Sequence, residues 1–212
     1  QKRAKRKRAK QKRAKQKRAK QKRAKQKRAK RKRAKRKRSK RKRNLPAGWA
    51  WPPNPRMLKQ GQACLAELDA LGVKWKRAKR KPRIATAIRV PSMRFGGITL
   101  EPTFRKGPVV MDCHLARSLA QTAPLLVAIG VSKLRFSSIH SSRRAKTTGK
   151  RKKSLSRHAY GLAVDVFEFV STEGKTLVVE EDYQEPLLQA IEREGNASQK
   201  FRLLLTPGND PK

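Results

Sequence analysis

His158 and Asp165 are the two residues of this chain whose types and spacing fit metal chemistry. An imidazole nitrogen and a carboxylate oxygen are both zinc ligands. A carboxylate in an apolar, β-branched run such as residues 162–170 is costly to bury unless a cation faces it, and a divalent metal is one such cation. The residues alone leave an alternative open, in which Asp165 pairs with an arginine and His158 caps a turn.

The spacing of the two residues requires the chain to reverse direction between them. A fully extended chain would separate them by roughly 23 Å, whereas ligands of one zinc ion each lie about 2 Å from it. Gly161 lies between them and tolerates backbone angles that other residues avoid. We therefore expect a reversal at Gly161, followed by a strand over residues 162–170 that is covered on both faces. Strand alternation predicts that Asp165 shares a face with Phe167 and Phe169.

The stretch around these residues also resembles a known metal motif. Ser156 to Asp165 has the form S-x-H-x-x-G-x-A-x-D, which is similar to the first half of the zinc site in D-alanyl-D-alanine carboxypeptidases and related peptidases of the Hedgehog/DD-peptidase fold. From about Trp49 onward the chain resembles the bacterial extensin-like protein C-terminal family, a branch of that fold. The supporting stretches are residues 64–68, 71–73 and 111–116.

This resemblance implies a zinc-dependent peptidase of the D,D-carboxypeptidase kind that acts on peptidoglycan peptides, with His158 and Asp165 as two metal ligands. It implies that the third ligand is a histidine in a strand that would follow Lys212, so we expect the site of the given chain to be incomplete. Related carboxypeptidases bind the terminal carboxylate of the substrate with an arginine upstream of the motif, because guanidinium and carboxylate pair bidentately. Arg143 and Arg144 are the candidates for that role.

A hydrolytic reaction also needs a general base, and the sequence assigns none. Strand alternation points Glu168 away from the face of Asp165. The resemblance places the base near the third ligand. The alternative function is non-catalytic binding to the cell wall or to another polyanion through positive charge.

Positive charge dominates the composition, with 59 Lys and Arg against 14 Asp and Glu and a net charge of +45. Most of it lies in residues 1–43, a pentad repeat of the QKRAK and RKRAK type without acids. Five residues turn a helix by roughly 500°, so the alanines form no apolar stripe. We predict a disordered basic tail, either a solvated linker or an arm for nucleic acid or anionic wall polymers.

The rest of the chain is predicted to be a Pro/Trp-rich linker over residues 44–56 and one domain over residues 57–212. Helical and strand patterns occur in blocks with hairpins, which favours an α+β fold with a small antiparallel sheet and flanking helices. Helices are predicted over residues 57–71, 109–129 with a break near Pro124, and 185–194, and a last strand over residues 201–205. The first helix should bury Leu58, Cys64, Leu65, Leu68 and Leu71.

The chain has two cysteines, Cys64 and Cys113, which composition leaves open as thiols or as one disulfide. The family resemblance implies an oxidising compartment, hence a disulfide and a periplasmic or cell-envelope location. No apolar run reaches the ~18 residues of a membrane-spanning helix. The chain does not begin with methionine, so we expect that a secretion signal could precede Gln1.

Overall fold

A computed structural model describes Gln26 and residues 49–79, 81–104, 109–141, 144–147 and 150–209, with the backbone alone for 144–147 and 150–154. The chain separates into two units, Gln1–Asn44 and Leu45–Lys212, and the elements named below belong to the second. Apart from Gln26, the tail predicted over residues 1–43 lies outside the described residues.

Three α-helices form among the described residues. They are α1 (Pro55–Ala70), α2 (Cys113–Ala128) and α3 (Pro186–Ala197). Asn54 caps α1, because its Oδ1 accepts the N–H of Met57 at 2.9 Å. Asp112 caps α2 in the same way, so this helix begins four residues later than the pattern predicts. None of the described helices is long and apolar enough to cross a membrane.

Two details of the helix predictions are wrong. The predicted break near Pro124 does not occur, since α2 continues through this residue. A proline removes one backbone donor from a helix, but Pro124 is exposed and the buried face of α2 packs on either side of it. Leu58 and Leu71 of the first predicted helix are not inward, because 52% and 41% of their surfaces are exposed.

The described part of the chain contains ten strands in three sheets. The strands are β1 (Lys76–Arg77), β2 (Ala87–Arg89), β3 (Arg94–Phe95), β4 (Ile98–Pro102), β5 (Met111–Asp112), β6 (Val131–Ser138), β7 (Arg144–Thr147), β8 (Lys150–Leu155), β9 (Asp165–Ser171) and β10 (Thr176–Val178). The sheet orders are β1-β2-β5, β10-β9-β6-β4-β3 and β7-β8. The α+β class is confirmed. The five-stranded sheet is mixed rather than antiparallel, because β4 and β6 pair in parallel.

The core lies on one face of the five-stranded sheet. Leu100, Leu134, Phe169 and Leu177 are register partners across β4, β6, β9 and β10, and all four are buried. They belong to one apolar cluster with the inner faces of the three helices. We call this the inner face of the sheet.

The outer face of the sheet is polar. Arg135 bonds Glu168 (Nη1 to Oε2, 2.8 Å), and Lys133 bonds Glu101 (Nζ to Oε1, 2.8 Å). The bond from Lys133 lowers the pKa of Glu101, and the bond to Glu168 raises the pKa of Arg135. The strand predicted over residues 162–170 begins only at Asp165, and its outer face carries the ion-paired Glu168.

A disulfide joins Cys64 of α1 to Cys113, the first residue of α2, with Cα atoms 6.2 Å apart. This is the pairing that the family resemblance implied. It links the two helices that pack on each other over the inner face of the sheet.

The last predicted strand, over residues 201–205, is wrong. The segment is irregular, and Leu203 and Leu205 are 70% and 54% exposed. Glu192 of α3 holds the end of this segment instead. Its Oε1 accepts hydrogen bonds from the Thr206 hydroxyl and the Asn209 amide, each at 3.0 Å. A polar anchor to one helix therefore takes the place of strand pairing.

Candidate functional site

The site is built around a tight turn that carries His158. Residues Arg157–Tyr160 form one turn of 3-10 helix, and Ser156 caps it by accepting the N–H of His158 at 3.4 Å. Gly161 ends the turn with φ +65°, the left-handed conformation that glycine adopts without a steric penalty. The reversal predicted at Gly161 is therefore present.

Gly161 also lies directly against the end of β5. Its carbonyl accepts the N–H of Asp112 at 3.0 Å. A Cβ at this position would lie 2.9 Å from that nitrogen. The turn that carries His158 is thus fixed to the backbone that begins α2.

The ring of His158 is held in one orientation. Its Nδ1 lies 3.2 Å from the carbonyl oxygen of Ile139, and a carbonyl only accepts hydrogen bonds, so Nδ1 carries a proton. Its Nε2 lies 2.9 Å from Oδ1 of Asp165. The structure therefore brings His158 and Asp165 together, as the spacing and the glycine predict.

Nε2 of His158 and Oδ1 of Asp165 are 2.9 Å apart, a distance that either a hydrogen bond or a shared cation can bridge. Two ligands about 2 Å from one zinc ion lie roughly 3 Å from each other, so the spacing fits both arrangements. The Asp165 side chain is 55% exposed, so the pair is open to solvent.

Two irregularities in the pairing of β6 with β9 decide where Asp165 points. Ser137 on β6 and Phe167 on β9 are extra residues without a register partner. The partners around them are Arg135 with Glu168, Phe136 with Val166, and Ser138 with Asp165. Such bulges re-aim side chains beside functional sites.

The bulge at Phe167 reverses the alternation along β9. Phe169 and Val166 are both on the inner face, so Asp165 and Glu168 are both on the outer face. The predictions that Asp165 shares a face with Phe167 and Phe169, and that Glu168 points the other way, are therefore wrong. A prediction based on regular side-chain alternation places the faces wrongly wherever a strand contains an extra residue.

The proposed substrate-binding arginines are not tested by the structure. Arg143 lies outside the described residues, and Arg144 begins β7 with only its backbone described. Among the described residues, no group of three or more His, Cys, Asp and Glu side chains could hold a metal ion. The third ligand therefore remains a prediction.

A second histidine–aspartate pair, Asp112 and His114, was not predicted from the sequence. Asp112 is fully buried, and its Oδ1 accepts both the N–H of His114 at 3.1 Å and a bond from His114 Nδ1 at 2.8 Å. Its Oδ2 accepts the N–H of Thr86 at 2.9 Å. An aspartate immediately before a helical run is an N-cap signal and could have revealed this role.

Aromatic rings pack beside this second pair. Trp49 makes edge contacts with the rings of His114 and Tyr160, with centroids 6.4 and 6.1 Å apart. Burial raises the pKa of Tyr160 and lowers the pKa of Arg157, whose guanidinium is also near Arg202. Trp49 therefore packs onto the domain.

These features define an α+β domain with a histidine–aspartate pair at the solvent-open face of a mixed sheet. The family model described as extensin-like protein C-terminus matches residues 62–212. The chain belongs to this family. No curated protein and no solved structure matches the chain.

Proposed function

We propose that the chain is a zinc-dependent peptidase domain acting on peptidoglycan peptides, with His158 and Asp165 as two of the metal ligands. The observation that supports this proposal is the orientation of His158, whose Nδ1 faces the Ile139 carbonyl while Nε2 lies 2.9 Å from Asp165 Oδ1. A metal-binding histidine usually donates its other ring N–H to a carbonyl or carboxylate, which fixes the tautomer.

Each residue around the proposed metal site has its own role. Zinc, when bound, polarises the scissile carbonyl and lowers the pKa of a bound water to about 7. The Ile139 carbonyl keeps Nε2 of His158 turned toward the site. The Ser137 hydroxyl donates to the Asp165 carbonyl at 3.4 Å and so steadies the start of β9. The exposed carboxylate of Asp165 lies where a peptide can reach it.

Catalytic zinc sites use three protein ligands, and the described residues supply two. The proposal therefore includes a third ligand that these residues do not provide. We expect the 212-residue protein to bind zinc weakly and through both His158 and Asp165.

A zinc titration with a competing chromophoric chelator tests this proposal. Asp165→Asn and His158→Gln should each abolish zinc binding by the 212-residue protein. Glu173→Gln is the matched control for Asp165→Asn, because Glu173 is exposed in the β9–β10 turn and forms no ion pair among the described residues. Zinc affinity that is equal in Asp165→Asn and in Glu173→Gln would contradict the proposal.

Activity is tested separately with peptidoglycan-derived peptides and mass spectrometry of the products. Cleavage should require added zinc and should be lost in Asp165→Asn but kept in Glu173→Gln. Zinc binding without cleavage would leave a metal-binding domain and reject peptidase activity of the 212-residue protein.

A second candidate function, polyanion binding, is favoured by the charge of the folded part. Residues 70–100 contain nine Lys and Arg and no acid. Lys76 of β1 lies directly opposite Arg89 of β2, and both are exposed. Like charges that lie directly opposite each other destabilise a strand pair, so a bound anion would reduce the repulsion between these two side chains.

Sedimentation of the protein with purified peptidoglycan tests this second candidate. Arg89→Glu should weaken binding, whereas Lys200→Glu makes the same charge change at an exposed residue after α3 and should not. Equal weakening by both variants would show that net charge alone causes binding.

A further inference from the structure

A cavity of about 510 Å³ lies between α1, the β1–β2 pair and residues 51–53. Its apolar walls include Trp51, Leu58 and Ile84. It contains neither residue of the His158–Asp165 pair, so it is a separate feature of the domain. Its volume falls in the range of roughly 300–1,000 Å³ that is typical of small-molecule sites.

The charge of the cavity is one-sided. Among the described residues that line it, Arg77 is the one charged side chain and none is a carboxylate. Arg77 is exposed and forms no ion pair within the described part of the chain. The lining residue Gln62 adds an amide on α1. An exposed cation beside an apolar wall complements a ligand that has an anionic group and an apolar body.

Leu58 extends the apolar wall toward solvent. It lies on α1, and 52% of its surface is exposed. The helix pattern would bury this residue in the core, but it lines the cavity instead. An apolar side chain of this size, exposed beside a concave surface, gains free energy when an apolar group covers it.

From these contacts we infer that this cavity binds a small, free organic anion with an apolar body, whose carboxylate, sulfate or phosphate group pairs with Arg77. The apolar body packs against Trp51, Leu58 and Ile84. This inference does not depend on the proposed metal site.

Calorimetric titration of the full chain with octyl phosphate, below its micelle concentration, tests the inference. Arg77→Glu should weaken binding by about tenfold or more, since hydrogen bonds to charged groups contribute about 1.5–3 kcal/mol. Arg94→Glu is the matched control, because Arg94 is exposed on β3 and forms no ion pair among the described residues. All variants keep the same basic tail, so the binding of octyl phosphate to the tail is equal in the variants that are compared.

A second pair of variants tests the apolar part. Leu58→Asn should weaken octyl phosphate binding severalfold, whereas Leu203→Asn, at a 70% exposed position in the C-terminal segment, should leave it unchanged. Both leucines are exposed, so neither change should prevent folding. Binding of inorganic phosphate should not respond to Leu58→Asn.

Three results would overturn the inference. Equal weakening by Arg77→Glu and Arg94→Glu would leave only non-specific charge attraction. Octanol binding as tightly as octyl phosphate would remove the role of the anionic group. Arg77-dependent binding to vesicles of phosphatidylcholine and phosphatidylglycerol, without binding of monomeric octyl phosphate, would show a membrane contact and no small-molecule site.

Discussion

The carbonyl of Gly161 accepts the backbone N–H of Asp112 at 3.0 Å, and the missing side chain of this glycine is what allows the contact. One contact thereby joins the turn that carries His158 to the N-cap of α2. The glycine has two roles here, since it supplies a left-handed backbone angle and also removes the atom that would collide with Asp112.

Gly161→Ala should therefore cost more stability than a left-handed glycine elsewhere. We expect a loss of about 2–4 kcal/mol in the free energy of unfolding, from the strained angle and the clash together. Gly174→Ala is the control, because Gly174 has φ +88° but nothing within 4 Å of an added Cβ. It should lose only about 1–2 kcal/mol. Equal losses in urea unfolding would show that the contact with Asp112 is not tight.

Reduction of the Cys64–Cys113 disulfide should lower the stability of the domain. The bond joins residues that are 49 positions apart, and closing loops of this order contributes roughly 3–5 kcal/mol in the chain-entropy description. Thermal unfolding with and without reductant measures the effect. The chain has no other cysteines, so the Cys64→Ala, Cys113→Ala double variant should unfold at the temperature of the reduced protein and should not respond to reductant. A response of the double variant would contradict this assignment.

The acid stability of the domain should depend on Glu101. Lys133 lowers the pKa of this carboxyl from its usual 4.5. Its stabilising effect is therefore fully present above pH 4.5 and is lost as the pH falls through the lower, folded-state pKa.

Glu101→Gln should be less stable than the unmodified protein near neutral pH and equally stable in strong acid. The side chain is 42% exposed, so the difference at neutral pH should stay below about 1 kcal/mol. Urea unfolding of Glu101→Gln and of the unmodified protein at several pH values checks this. If the two proteins still differ in their free energy of unfolding below the folded-state pKa of Glu101, the ionised carboxylate is not the cause of the difference.

Glu192 should control the order of the C-terminal segment. Its two oxygens bind the hydroxyls of Tyr183 and Thr206 and the amide of Asn209. We expect Glu192→Ala to speed hydrogen exchange in residues 201–209 while α3 stays protected. Glu194→Ala, on the same helix but paired with its neighbour Arg193, should leave exchange in this segment unchanged. Equal exchange in both variants would mean that the anchor contributes little.

Local sequence patterns predicted a large part of the fold. The helices follow apolar periodicity, and the reversal at Gly161 follows from glycine. The sequence could not reveal the extra residues Ser137 and Phe167, because a bulge depends on how two distant strands align. For the same reason it could not place Glu168 beside Asp165 on the outer face.

For the candidate site, the sequence predicted the two side chains but not the backbone group that orients one of them. His158 and Asp165 stand out by type and spacing, and a glycine between them indicates a turn. The acceptor that orients His158 is the backbone carbonyl of Ile139, which has no sequence signature. The pair of buried Asp112 and partly exposed His114 was not predicted, although an aspartate before a helical run is an N-cap signal.

The polar outer face of the five-stranded sheet has one more consequence. The helices of the described residues contribute to the core on the inner face, and 55% of the Asp165 side chain is exposed. Under the proposed function, an extended polymer strand would reach Asp165 along this face. Selection among such strands would then depend on how their charges match the alternating acids and bases of Glu101, Lys133, Arg135 and Glu168.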